Sequence, residues 1–248
     1  MFKRTLALVL FFLIAAFSPS AFSQEKEAEA PHWKGDVAVG FSLARGNSNA
    51  SNFSFSFSAD GQIGRALSWE NKGVYLFGAV DGRTSAESGL VASRLTWRHS
   101  PRFLSYYELQ VLRDRFKNFS SRVLPAVGIG YKVIAGKDLQ VLLDAGIGGV
   151  STKFYDTGET MTYGALKLGQ GLVWAISETA EINEKLELSA KLSELGRYFF
   201  RWETNLVAAL AKSWTVKLTF IDSYDNKPLG PDVEKNDIAL IASLSRKF

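Results

Sequence analysis

Charged side chains alternate with apolar ones through most of this chain, and they are its first candidates for chemistry. Glu70, Lys72, Arg94, Arg98, Glu108, Asp114 and Lys132 are followed in the same rhythm by Asp144, Lys167, Lys185, Glu187, Arg201, Glu203 and Lys217. Most stand beside a residue that suits an apolar face, so alternation gathers the charges on the opposite face. Both signs are mixed. If that face lines a lumen, the charges can bind or pass small solutes, or they can bridge one another and fill it. Hairpin arithmetic places Glu70 across from Arg98, and Glu187 near Lys167 or Arg201.

Other chemistries find little support. A serine hydrolase needs a nucleophile, a histidine and an orienting group. The chain has 2 histidines, His32 at the start of the alternating region and His99 in an expected turn. Neither lies on the outer-leaflet side, where a hydrolase of surface lipids would work, and no Gly-x-Ser-x-Gly elbow occurs. Asp222, Asp225, Asp232, Glu234 and Asp237 gather around one loop but lack the spacing and glycine of a calcium loop. They read as a solvated loop, with divalent-ion binding as the sharper alternative. No phosphate-binding glycine loop and no Cys/His metal pattern is present. The chain has 0 cysteines, which excludes disulfides and thiolate metal sites. Asn49, Asn52 and Asn118 stand in glycosylation-like triplets, which would mean little if the chain is a bacterial envelope protein. The expectation is no enzyme, no cofactor and no metal.

The elements that must position these charges are strands. Phe53, Phe55 and Phe57 alternate with Ser54, Ser56 and Ser58, a pattern that makes a strand with one apolar side and cannot make a helix face. The same period runs from Trp33 to Phe248 in twelve segments of about ten to fifteen residues. Soluble strands average about five or six residues, whereas a tilted bilayer crossing needs about nine to eleven. An even number suits a single-chain barrel with both ends on one side. Three positions break the pattern: Gln170 and Glu184 fall on the apolar face, and Pro125 interrupts the sixth segment. A bulge, or a place outside the hydrocarbon, would accommodate each.

The expected connections are unequal. Gly64 to Leu67, Ser100 to Arg102, Ala135 to Lys137, Ser177 to Thr179 and Lys212 to Ser213 are short and would face the periplasm. Ser151 to Thr160 and Tyr224 to Asn236 are longer, with middling loops near Asn47, Arg83, Lys117 and Glu194. Trp33, Trp69, Trp97, Trp174 and Trp214 fall at the short-turn ends of apolar faces; Trp202 lies elsewhere. Such a girdle is the headgroup-level belt of a membrane protein. A soluble barrel or sandwich with its apolar face inward is the alternative; segment length, the tryptophans and the terminal Phe248 favour the membrane.

The N-terminus reads as an export signal over residues 1–23. Lys3 and Arg4 precede the uncharged run Leu6 to Phe17, and Ala21-Phe22-Ser23 offers small residues for cleavage. That run is too short to span a bilayer, which takes about 20 residues. Residues 24–32 form a short lead, and residues 33–248 form the barrel. Losing Lys3 and Arg4 lowers the net charge from +4 to +2, so the basic balance gives no argument for nucleic acid.

Short motifs carry a family resemblance. Trp33-Lys34-Gly35-Asp36, Gly40-Phe41-Ser42 and Arg45-Gly46-Asn47-Ser48 open it. Tyr106-Tyr107-Glu108, Arg113-Asp114-Arg115-Phe116 and Gly128-Ile129-Gly130-Tyr131 continue it, and Lys235-Asn236-Asp237 and Ser243-Leu244-Ser245 close it. The chain resembles the salt-induced outer-membrane proteins with the YdiY-like domain of unknown function, over nearly all of its expected mature length. Ser48 departs from the threonine of that pattern, and Arg246 stands where a hydrophobic residue is more usual before a terminal aromatic.

The resemblance implies an outer-membrane barrel and a link to salt or osmotic stress; it implies no catalytic residues. The expected partners are outer-membrane lipids, lipopolysaccharide, the barrel assembly machinery and small solutes. A narrow pore or small-solute channel, a plugged structural or surface-interaction barrel and, further off, a lipid hydrolase are the functions to separate.

Overall fold

The computed structural model describes residues 32–45, 50–80, 83–115, 117–228 and 233–248. The expected signal and most of the expected lead lie outside them. The strands are β1 (His32–Arg45), β2 (Ala50–Ile63), β3 (Leu67–Val80), β4 (Arg83–Arg98), β5 (Phe103–Asp114) and β6 (Phe119–Ala135). They continue with β7 (Leu139–Phe154), β8 (Thr160–Ala175), β9 (Ala180–Lys191), β10 (Glu194–Ala211), β11 (Trp214–Asp225) and β12 (Asn236–Lys247). Each pairs antiparallel with its neighbours in sequence, and β1 pairs with β12 to close the barrel. Closure satisfies the edge groups that an open sheet would leave unpaired in hydrocarbon.

Alternation decides which way each side chain points. In β1 and β2, Val39, Phe41, Phe53 and Phe55 are exposed on the outside, while Ala38, Ser42 and Ser54 are buried inside. An exterior of large apolar side chains is stable only against lipid. Trp33, Trp69, Trp97, Trp174 and Trp214 are all exposed near one end of the barrel, and Trp33 meets Trp69 edge to face at 5.9 Å. Towards the other end, Phe41 packs on Phe53 at 6.4 Å and Tyr198 on Tyr224 at 6.2 Å. Along tilted β1, Trp33 and Phe41 are separated by about 20 Å of height, close to the apolar band of such barrels.

The seam between β1 and β12 is tied by the terminal residue. Gly35 N–H donates to the Phe248 carbonyl at 3.1 Å, and Phe248 N–H donates to the Gly35 carbonyl at 3.0 Å. The Phe248 ring lies across Gly35, where an added Cβ would sit 2.6 Å from its Cζ. Glycine is required there by the approach of an aromatic ring.

The irregular positions carry no bulge. Pro125 stands opposite Leu109 in an unshifted register, and β6 re-pairs with β7 at Ala126 and Gly148 on the register held at Val123 and Ser151. The missing N–H interrupts the ladder without a bulge. Gln170 and Glu184 also sit in an unbroken β8–β9 register. Gln170 Nε2 donates to Glu184 Oε1 at 3.1 Å, and Trp202 Nε1 donates to Glu184 Oε2 at 3.2 Å. The tryptophan outside the girdle thus satisfies a carboxylate on the apolar face. The β7–β8 connection is shorter than the expected loop, because Ser151 pairs with Thr162 and Lys153 with Thr160. Polar strand pairs extend the ladder where apolar alternation has stopped.

Candidate functional site

Register sets charges of four adjacent strands opposite one another in the lumen wall. Asp60 of β2, Glu70 of β3, Arg94 of β4 and Glu108 of β5 stand opposite one another in turn. Glu70 therefore faces Arg94, and Arg98 faces Leu104. The expectation of Glu70 against Arg98 fails because the β3–β4 hairpin is centred two residues earlier than the alternating pattern suggested.

Arg94 is held on three sides. Its Nη1 lies 3.3 Å from Glu108 Oε2 and its Nη2 3.2 Å from Asp144 Oδ2. The guanidinium sits 3.8 Å above the Tyr106 ring. Tyr106 donates its hydroxyl proton to Asp144 Oδ1 at 3.2 Å and is 1% exposed. Its ring fits a hollow left by two glycines: a Cβ at Gly128 would come within 2.5 Å of the ring, and one at Gly146 within 2.6 Å of the hydroxyl. Tyr106 shares the inward parity of Glu108, and that parity is the signal in the sequence that could have found it.

The network then crosses the barrel. Lys167 Nζ of β8 lies 2.5 Å from Glu108 Oε1 of β5 and 3.4 Å from Glu187 Oε1 of β9. Gln110 Nε2 of β5 donates to the same Glu187 oxygen at 3.3 Å, and Lys185 lies 3.0 Å from it. β5 is hydrogen-bonded to neither β8 nor β9, so these bonds are chords through the interior. Glu187 does take Lys167 as a partner; Arg201, directly across from it in β10, turns to Glu203 at 3.0 Å. Alternating charge in a low-dielectric interior makes such a set mutually dependent.

The remaining charged candidates flank the network. Lys217 approaches Asp36 at 3.9 Å. Glu70, Lys72, Arg98, Lys132 and Glu203 line a cavity of about 470 Å³ on the tryptophan side, where Lys132 donates to Gln140 at 3.3 Å. Asp114 lines a second cavity of about 200 Å³ towards the opposite end and accepts the Lys117 N–H at 3.1 Å. Glu108, Asp144 and Lys185 border the first cavity, and Lys167 and Glu187 the second. The network lies between the two.

The acidic loop residues disperse. Asp222 pairs across from Trp202 and Ile238, Asp225 accepts the Lys227 N–H at 3.0 Å, and Asp237 bridges Lys117 at 2.6 Å. Asp232 lies outside the described residues. Beyond the spanning part, a hydrogen bond from the Lys227 ammonium holds the Glu194 carboxyl below its usual range. His99 Nε2 lies 2.9 Å from Ser105 Oγ, with Trp97 stacked at 5.8 Å and Phe103 at 5.5 Å. Among the described residues no third side chain bonds that imidazole, so the pair lacks the orienting group of a hydrolytic triad.

A search of curated proteins returns no match. Among solved structures, the barrel is similar to a structure described as the NanC porin, with a TM-score of 0.57 at 9% identity over 86% of this chain and 100% of that one. It is also similar to the KdgM porin, with a TM-score of 0.52 at 9% identity over 86% of this chain and 99% of that one. These likenesses extend to the fold. A family profile described as "Protein of unknown function, DUF481" matches residues 37–248. That span holds eleven of the twelve strands whole and most of the first, together with the network from Arg94 to Glu187, and the chain belongs to the DUF481 family, consistent with the YdiY-like resemblance of its motifs.

Proposed function

We propose that this protein is an outer-membrane barrel of the Gram-negative envelope that forms a narrow, charge-lined passage for small solutes. The observation that carries the reading is the set of cross-lumen bonds among Glu108, Gln110, Lys167 and Glu187, placed between two cavities. A barrel of this size is too wide for wall side chains alone to fill, so the bridges set the width of the path. Thirteen of the fourteen charged candidates stand in the network or line one of the two cavities, which supports the reading; Lys217, beside Asp36, borders neither.

Location follows from the aromatic exterior, which would meet lipid and lipopolysaccharide. Delivery would use the N-terminal signal and the assembly machinery acting on the strand that ends in Phe248. The salt-stress role is carried by the family resemblance of the motifs.

A second reading, the plugged barrel, is favoured by the direct Lys167–Glu108 bridge, which joins β8 to β5 across the lumen. Planar-bilayer recording of the refolded protein separates the two. Discrete current steps support the passage. Insertion without current in the native protein, with current in Lys167→Ala, supports the plug.

A further inference from the structure

The cavity on the side away from the tryptophan girdle is lined by many charged side chains but carries one apolar stretch of wall. Lumens of membrane barrels are polar. Here one cross-strand row runs Val74, Leu90, Leu112, Arg122 and Thr152 through β3 to β7, each directly opposite the next. All five share the inward parity of their strands, and Leu76 and Leu124 extend the apolar area above and below the row. Three aliphatic side chains therefore lead, strand by strand, to one guanidinium.

Arg122 is built into that position and, among the described residues, forms no ion pair there. Its Nε donates to Thr152 Oγ1 at 2.9 Å, and its guanidinium carbon lies 4.3 Å from the centre of the Phe119 ring. Among the described residues no carboxylate lies within the 4.0 Å of an ion pair, and the two terminal nitrogens have no hydrogen-bond acceptor. Acids around the same cavity have partners of their own, Glu87 with Arg113 and Arg115 among them. Asp237 takes Lys117, Glu187 takes Lys167 and Lys185, and Asp114 and Asp225 accept backbone N–H groups. A planar fork with two free donor edges, fixed by a hydroxyl and an aromatic face, suits a carboxylate, phosphate or sulfonate.

We propose that this cavity is a binding site for a small amphipathic organic anion. Its apolar body lies along Val74, Leu90 and Leu112, a run of about 10 Å set by two strand spacings. Its anionic head pairs with Arg122. Binding at this site does not require that the lumen conduct, so the proposal is separable from the passage.

The probe is octanoate, measured by equilibrium dialysis against the full-length mature protein refolded in lipid nanodiscs, with empty nanodiscs as background. Octanol serves as the uncharged analogue and octylammonium as the reversed charge. Saturable binding of one octanoate per barrel is the expected result, weakened about tenfold or more by Arg122→Gln and by Leu112→Asn. Arg98→Gln, in the opposite cavity, leaves it unchanged. Folding of each variant is checked by its shifted migration on unheated gels, and Arg122→Lys keeps the charge if the glutamine variant does not fold. Uptake no greater than that of empty nanodiscs overturns the proposal. So does affinity equal for octanoate and octanol, or indifferent to Arg122. Current without octanoate binding removes this site and leaves the passage; binding without current does the reverse.

Discussion

Replacing Lys167 by methionine keeps the aliphatic stem and removes only the charge at the centre of the cross-lumen network. The Lys167 side chain is 7% exposed and that of Glu108 only 2%, so water cannot take over the lost role. Removing one partner of a buried pair costs about 3–5 kcal/mol, chiefly through the stranded charge. Glu108 retains Arg94 at 3.3 Å and Lys185 at 3.9 Å, and Glu187 retains Lys185 at 3.0 Å. These cations absorb part of the loss, which brings the expected destabilisation to about 2–3 kcal/mol. Neutralising the stranded group with Glu108→Gln in the same background should return about 1 kcal/mol or more, while Arg94 keeps Asp144. Equilibrium urea unfolding in lipid vesicles, followed by tryptophan fluorescence, reads all four corners of the cycle. A Lys167→Met variant within about 0.5 kcal/mol of the native protein would refute a coupled buried network. Strict additivity of the two substitutions would refute it equally.

Two further outcomes follow from the wall. Trp202→Phe removes the indole donor from Glu184 on the apolar face and should destabilise the barrel by about 1–2 kcal/mol in the same assay, with Glu184→Leu restoring most of it. Gly35→Val places a side chain into the Phe248 ring and should sharply lower the fraction migrating as a folded barrel on unheated gels; Gly196→Ala, with open space around it, should not.

The sequence makes the wall readable and leaves the interior bonds hidden. A period of two assigns a face to every residue, which is why the Phe–Ser run of β2 and the tryptophan girdle can be read directly. The face does not fix how far one strand slides against the next. Moving the β3–β4 hairpin centre exchanges Arg98 for Arg94 as the residue opposite Glu70 without turning any side chain over. Chords such as Lys167 to Glu108 depend on the accumulated stagger of several hairpins, so no local pattern announces them. Tyr106 and the row from Val74 to Arg122 were hidden for another reason. Their parity is plainly inward, but an aromatic or aliphatic residue on a wet face reads as noise until its neighbours are known. Gln170 and Glu184 read as defects of the apolar face for the same reason, because Glu184 takes its partners, Gln170 and Trp202, from two other strands.

The central claim is that the bridges across the lumen set the passage, and unitary conductance in a planar bilayer tests it most directly. The native barrel should show small discrete steps, and Lys167→Ala, which cuts the chord from β8 to Glu108, should enlarge them about twofold or more. If native and variant proteins both insert and fold yet neither carries current, the claim is contradicted, and the lumen is closed by more than the network between Arg94 and Glu187.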